Sequence, residues 1–456
     1  MFLVVLAAVP AGADVHLSDV ENGVANQFMG GSIAVIPDLN GDGLDELLIG
    51  MPGDNRAGSD AGVVFFWYGS RELPVAPDRI WTGLAAERLG TSVAHVGDLN
   101  GDGLADFALG APWHSGNTGR VLVFHGAATL PASGRAQDRA ANEIAGETGG
   151  DQFGFAVAAA GNFNGDNGDY GDLIVGAPWS VGAAGKAYVL FGSSFGVSED
   201  LADATILISD TTNNNFGWSV TGAGNFLGGN AESVAVGAPR YNLNGLDTGA
   251  VFVYEGTLGG AAPDTTIDKI LRPDISNRAG ALYGFVVRGG GNWNGDSYAD
   301  IAVGGPGAND GSGIRGRVEI HLGSTSVDGR GDRWLEGAAA NDSLGYSLDW
   351  VHEPGADDPD LVVGAPFANA QDDQGNGTSD GGRAYRWANG GGSTGAAGVE
   401  QLPVTPMVPG AAAGDHYGGW VASAGDFNGD GQADLAIGAP TGNIGNNAVA
   451  GYVHLL

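Results

Sequence analysis

The sequence contains no cysteine, which excludes disulfides, zinc–thiolate sites and thiol nucleophiles while leaving the redox compartment open. Basic residues are scarce, 19 Lys+Arg against 53 Asp+Glu, for a formal charge of −34. Phosphate contacts need clustered cations, so ordinary nucleic-acid binding is excluded, and docking on anionic lipid is disfavoured by the same imbalance. The acidity fits a solvated surface, cation binding, or both. No apolar run is long enough to cross a bilayer as a helix. Long helix-period stretches are missing too, whereas glycine accounts for 84 of 456 residues. Short strands and tight turns are expected, although length alone suggests about three domains.

The first residues, "MFLVVLAAVPAGA", combine an apolar core with the small residues Ala11-Gly12-Ala13. Residues 1–13 read as an imperfect or truncated export signal, since the usual basic start is missing; a buried first strand is the alternative. A secreted or cell-surface location follows from the first reading. Residues 14–456 read as one domain.

One unit recurs seven times. Its copies are "DLNGDGLDELLIGMP" from Asp38, "DLNGDGLADFALGAP" from Asp98, "NFNGDNGDYGDLIVGAP" from Asn162, "NFLGGNAESVAVGAP" from Asn225, "NWNGDSYADIAVGGP" from Asn292, "HEPGADDPDLVVGAP" from His352 and "DFNGDGQADLAIGAP" from Asp426. The glycines opening each Gly-x-Pro (Gly50, Gly110, Gly176, Gly237, Gly304, Gly364, Gly438) are spaced by 60 to 74 residues. A second marker precedes each loop: Met29-Gly30, Leu89-Gly90, Phe153-Gly154, Phe216-Gly217, Tyr283-Gly284, Leu344-Gly345 and Tyr417-Gly418. Each unit holds four strand-like pieces; in the second copy these are "GTSVAHVG", "FALGAP", "GRVLVFHG" and an outer piece like "RIWTG", taken from just upstream. Four antiparallel strands repeated about an axis make a β-propeller blade, so the fold class is all-β with seven four-stranded blades. The chain stops after a third strand, "AGYVHLL", and "ADVHLSD" near the start resembles the outer piece "ATILISD". The N-terminal strand is therefore expected to complete the last blade and remove an open edge.

The loops carry metal chemistry. Asp98, Asn100 and Asp102 alternate with non-ligands, Gly103 allows the sharp turn, the Leu104 carbonyl sits at position 7 and Asp106 closes the run at position 9. Such a run can wrap a hard cation that prefers six to eight oxygens. A helical hand would need a bidentate Glu at position 12, where Leu109 stands, and a helix, which Pro112 stops. The site therefore belongs to a hairpin. Equally complete sets are Asp38, Asn40, Asp42, Leu44 and Glu46, and Asp426, Asn428, Asp430, Gln432 and Asp434. The fifth loop (Asn292, Asn294, Asp296, Tyr298, Asp300) lacks a charge at position 1. In the third, two extra residues separate Asn162, Asn164 and Asp166 from Asp172. The fourth has Leu227 and Gly229 at ligand positions and the sixth has Pro354 and Ala356, so both are expected to be empty. Calcium is the expected cofactor, at three sites and up to five. For any one loop the alternative is an ion-free Asx turn.

These paired motifs resemble the FG-GAP repeats of the integrin α-subunit head and of bacterial extracellular proteins that share them, over residues 14 to 456. The resemblance implies structural calcium on one rim, and ligand docking on the opposite face. On that face hairpin geometry places Trp113, His114, Trp179, Arg240, Tyr241 and Phe367, which suit a protein hot spot or sugar stacking, or else cover neighbouring blades. The expected function is adhesion to, or recognition of, an extracellular protein or glycan by a monomer. A carbohydrate-binding module and, third, a hydrolase or lyase on the same face are the alternatives. No repeated acid–base arrangement of the kind an enzyme needs is visible.

Other motifs are better explained as ordinary sequence. "GSSFG" (192–196) lacks the strand-to-helix context of a nucleophile elbow, and "GSGIRG" (311–316) precedes a strand rather than a helix. Arg330-Gly331-Asp332 is a triplet that chance supplies. His16, His125, His321 and His454 sit in strand-like pieces and read as ordinary sheet residues.

Overall fold

The computed structural model describes residues 15–17, 27–71, 76–166, 170–229, 231–243, 246–260, 263, 265–273, 280–309, 313–353, 358–371, 377–378, 381–388, 399–401, 414–442 and 451–456. The expected export signal, Pro354 and Ala356 lie outside them.

Seven antiparallel sheets are arranged as blades of a propeller. Their inner strands are Ser32–Ile36, Ser92–Gly97, Ala156–Gly161, Ser219–Gly224, Val286–Gly291, Ser347–Val351 and Trp420–Gly425. Each lies beside the inner strand of the next blade, and that of blade seven lies beside that of blade one. Second strands such as Glu46–Met51, Asp106–Ala111 and Asp172–Ala177 are buried at every residue. Packed between neighbouring blades, they have two core faces, which is why their sequences run apolar without alternation. Apolar clusters accordingly span blade pairs; one joins Leu48, Phe66 and Trp81 of blade one to Phe107, Leu109 and Phe124 of blade two.

The outer strand follows the third within its own blade. Arg79–Thr82, expected in blade two, instead pairs with Val63–Trp67 in blade one, and blade two ends on Asn142–Ala145. The reason is local: a short antiparallel return from the third strand reaches the edge of the same sheet. In blade seven, Val15–Leu17 occupies this place and pairs with Tyr452–Leu455, Val15 opposite Leu455.

The two glycine markers meet between blades. A Cβ on Gly50 would overlap the Gly90 carbonyl oxygen, and one on Gly110, Gly176, Gly237, Gly304 or Gly364 would overlap the carbonyl of Gly154, Gly217, Gly284, Gly345 or Gly418. Serine hydroxyls add to the joint: Ser32, Ser92, Ser219 and Ser347 each donate to the same carbonyls at 2.8 Å. The marker glycines Gly90 and Gly154 also have φ of +82° and +85°, a region that side chains resist.

Candidate metal loops and the opposite mouth

The loops between first and second strands of blades one, two, five and seven fold alike. In blade two the Asp98 carboxylate accepts the Gly101 and Gly103 N–H groups at 2.7 Å, Asn100 Oδ1 accepts Asp102 N–H and Asp102 Oδ1 accepts Leu104 N–H, both at 2.9 Å. Asp106 Oδ2 accepts Leu99 N–H at 2.9 Å and its Oδ1 accepts Gly126 N–H at 2.7 Å. Asn40 and Asp42 in blade one, Asn428 and Asp430 in blade seven, and Asn294 and Asp296 in blade five repeat the inner turns. In blade three Asn162 and Asn164 both accept Asp166 N–H, and Asp172 accepts Phe163 N–H at 2.8 Å. Position 2 anchors six of the seven loops in the core, where Leu39, Leu99, Phe163, Phe226, Trp293 and Phe427 are buried.

Among the described residues no three His, Asp or Glu side chains converge as a formed metal site, yet the oxygens of these loops are of the type a hard cation takes. Glu46 Oε1, Asn292 Oδ1 and Asp426 Oδ1 are buried without a hydrogen-bond partner. Burial pushes the closing carboxylate of each set up, Glu46 to about 8 and Asp106, Asp172, Asp300 and Asp434 to about 6. Such buried carboxylates are costly unless a positive charge is supplied. Blade six supplies one covalently: its Asp360 and Glu353 both bind the Arg386 guanidinium, at 2.6 and 2.5 Å. In blades one, two, three, five and seven no side-chain cation is paired with the closing carboxylate among the described residues.

The opposite end of the axis opens into a cavity of ≈ 500 Å³. Half-buried rings form an arc over its rim: Phe155 to Trp218 at 4.8 Å between centroids, Trp218 to Phe285 at 5.5 Å, Phe285 to Tyr346 at 4.8 Å and Tyr346 to Trp420 at 6.2 Å. Deeper in the channel Arg288 Nε meets Asp349 Oδ1 at 3.3 Å, and Asp349 Oδ2 accepts Ser423 N–H, so one carboxylate ties blades five, six and seven. Its pKa is raised by burial.

Of the residues expected on this face, Phe367 lines the cavity and packs edge-on to Tyr346 at 6.0 Å. Trp179 backs the arc, 5.0 Å from Phe155 and 5.5 Å from Trp218. Trp113 lies apart under the Arg88 guanidinium, 4.8 Å from its ring, and His114 Nδ1 lies 3.0 Å from the buried Glu87. Arg240 is exposed. Tyr241 is a correction: it is 5% exposed and packs on Phe252 in the core, with its hydroxyl on Asp210. The residues missed are Phe155, Trp218, Phe285 and Tyr346, each directly after a marker glycine. That shared offset was the available signal.

Two further repeats shape this rim. The residue before each marker pair has positive φ: Phe28, Arg88, Gln152, Asn215, Leu282, Ser343 and His416. The residue immediately before that one is a buried polar one in six blades: Gln27, Glu87, Asp151, Asn214, Asp342 and Asp415. Glu87 is the best bound, with both oxygens within 2.9 Å of Arg120 Nη2. Of the set-aside motifs, Asp332 accepts Leu322 N–H at 2.9 Å where the outer strand begins to pair with the third.

No helix among the described residues is long and apolar enough to cross a membrane. The FG-GAP repeat model matches residues 29–67, 89–124 and 418–456, in blades one, two and seven. Integrin alpha-6 of Gallus gallus is 34% identical over 165 residues, 36% of this chain and 14% of that subunit. Integrin alpha-5 of Xenopus laevis is 35% identical over 151 residues, 31% of this chain and 14% of the subunit. Integrin alpha-PS2 of Drosophila melanogaster is 36% identical over 163 residues, 33% of this chain and 11% of the subunit. Among solved structures, the Dos1 propeller covers 93% of this chain and 91% of its own at 10% identity and a TM-score of 0.46. The chain thus carries FG-GAP repeats, assembled into a seven-bladed propeller, and is similar over about a third of its length to integrin α subunits.

Proposed function

We propose that this propeller is a calcium-stabilised adhesion or recognition module, secreted or held at the cell surface, that docks an extracellular partner at its aromatic mouth. The observation that carries the reading is the arc from Phe155 to Trp420, rings contributed by five consecutive blades around one cavity. Large rigid rings bury much area at small entropy cost, which is what a binding hot spot requires. Similarity to integrin α subunits supports an adhesion role.

Calcium is assigned to the opposite rim. The complete sets in blades one, two and seven are its first sites, with Asn292, Asn294, Asp296, Tyr298 and Asp300 and then Asn162, Asn164, Asp166 and Asp172 as weaker ones. Buried, unpaired oxygens on these loops support the assignment. The ions stiffen the hairpins and leave the mouth free for the partner. A monomer is sufficient for both tasks.

A second reading, glycan recognition, rests on Phe155, Trp218, Phe285 and Tyr346 occupying equivalent positions, as repeated sugar-stacking platforms would. Screening the purified chain with calcium against arrays of extracellular-matrix proteins and of glycans, beside a Tyr346→Ala variant, separates the two. Binding to neither array, or binding that the variant keeps in full, would refute docking at the mouth.

A further inference from the structure

Blade four differs from its sisters in a compensated way. Leu227 and Gly229 stand where the loops of blades one, two, three, five and seven carry Asn and Asp, and the closing residue is Ser233 instead of a carboxylate. Yet oxygens without partners remain there. Ser233 is 1% exposed and its Oγ has no hydrogen-bond partner. Asn225 Oδ1, at position 1, is likewise buried and unpartnered. Directly opposite Ser233 in the ladder stands Glu255, at the end of the third strand.

The Glu255 carboxylate lies against Gly229, so closely that a Cβ on Gly229 would overlap its Oε1. It therefore fills the place from which a position-5 aspartate would project. The corresponding third-strand positions hold Tyr68, His125, Phe191, Leu322 and Ala388, none of them acidic; blade six, whose loop has also lost its acid, instead carries Arg386 beside Asp360. Neighbouring Glu232 is engaged elsewhere, accepting Asn162 N–H of blade three at 2.8 Å. Ser233 faces the loop by register, since Asp106 and Asp172 at the same position both bond loop N–H groups.

We propose that blade four holds a further divalent cation, with Glu255 supplying from the third strand the carboxylate that the loop lacks, beside Asn225 Oδ1 and Ser233 Oγ. One carboxylate and two neutral oxygens make a weaker site than the loops with two or three acids, and water completes the shell. The inference rests on the reading that the sister loops take calcium.

Equilibrium dialysis of the full chain against radioactive calcium tests it, comparing wild type, Glu255→Gln, and the double variant Glu255→Ala/Gly229→Asp, which returns the acid to position 5. Glu255→Gln is expected to lose one weakly held ion per chain while the tighter ions stay, and the double variant to regain it. Equal melting temperatures of wild type and Glu255→Gln in chelator show that the fold is intact. Superimposed binding curves for wild type and Glu255→Gln overturn the inference while leaving the sister loops standing. A wild type that binds no calcium overturns both. Should the double variant misfold, the Gln variant alone decides.

Discussion

Gly438 of blade seven lies against the carbonyl oxygen of Gly30 in blade one, where an added Cβ would come within 2.6 Å of that oxygen. The same two markers meet at every other joint between blades, and Gly30, like Gly90, has a left-handed φ, here +75°. Both sequence signatures are therefore inter-blade contacts, one glycine giving room and the other giving conformation.

Replacing Gly110 by Ala is expected to destabilise the fold by about 3 kcal/mol, because the methyl must displace the Gly154 backbone instead of a flexible side chain. Ser92→Ala at the same joint removes only its 2.8 Å bond and should cost about 1 kcal/mol. Denaturant titration of both variants checks the order; equal losses would contradict the steric account.

Calcium should raise the melting temperature and a chelator lower it. Ions that bind only the folded chain contribute about 2.7 kcal/mol per site at a hundred times their dissociation constant. Asp102→Ala should abolish the blade-two share, whereas a substitution at Leu227 in blade four should leave the response of the sister loops unchanged. Scanning calorimetry with and without chelator measures this, and identical traces would remove calcium from these loops.

Truncating the arc should weaken partner binding without unfolding the chain. Tyr346→Ala and Trp218→Ala are each expected to cost about 2 kcal/mol, roughly thirtyfold in affinity. Trp113→Ala, at a ring outside the arc, should cost less than tenfold. Surface binding assays against a partner found by the array screen provide the comparison.

His321 should make stability fall in mild acid. It is fully buried, bonds the Tyr283 hydroxyl, and burial lowers its pKa from the usual 6.5 to about 4. The unfolded chain then takes up a proton first as pH falls. The stability this neutral ring supports is complete above about pH 6.5 and lost as pH drops through 4, by up to about 3 kcal/mol. Raised carboxylates such as Asp434 act in the opposite sense, so the test compares wild type with His321→Phe at pH 7 and 4.5. The variant should show the smaller loss; a larger one would contradict the assignment.

The sequence announced the propeller because its glycines and loop acids are fixed by backbone geometry, which tolerates few substitutes. Gly50 and Gly90 are readable as markers even though their meeting across two blades is not. The loops were equally legible, since Asp98, Asn100 and Asp102 act within a few residues of one another. What escaped depends on contacts between distant segments. The shared offset after a marker glycine singles out Phe155 and Trp218, but only closure of the ring brings them face to face. Tyr241 was misplaced because an aromatic after Gly-x-Pro can turn inward onto Phe252 as readily as outward. Arg386 meets the closing carboxylate only once its strand lies beside Asp360. Arg79–Thr82 was given to the wrong blade because periodicity fixes the unit without saying where one copy stops.

Open arrays of repeats fray from their ends and need capping units. Here the face that blade seven offers through Gly438 is taken by blade one, so there is no end unit from which melting can begin. Loss of any single vane would expose two apolar flanks at once, which penalises partly melted forms. Heat should accordingly dismantle the disc in one concerted transition.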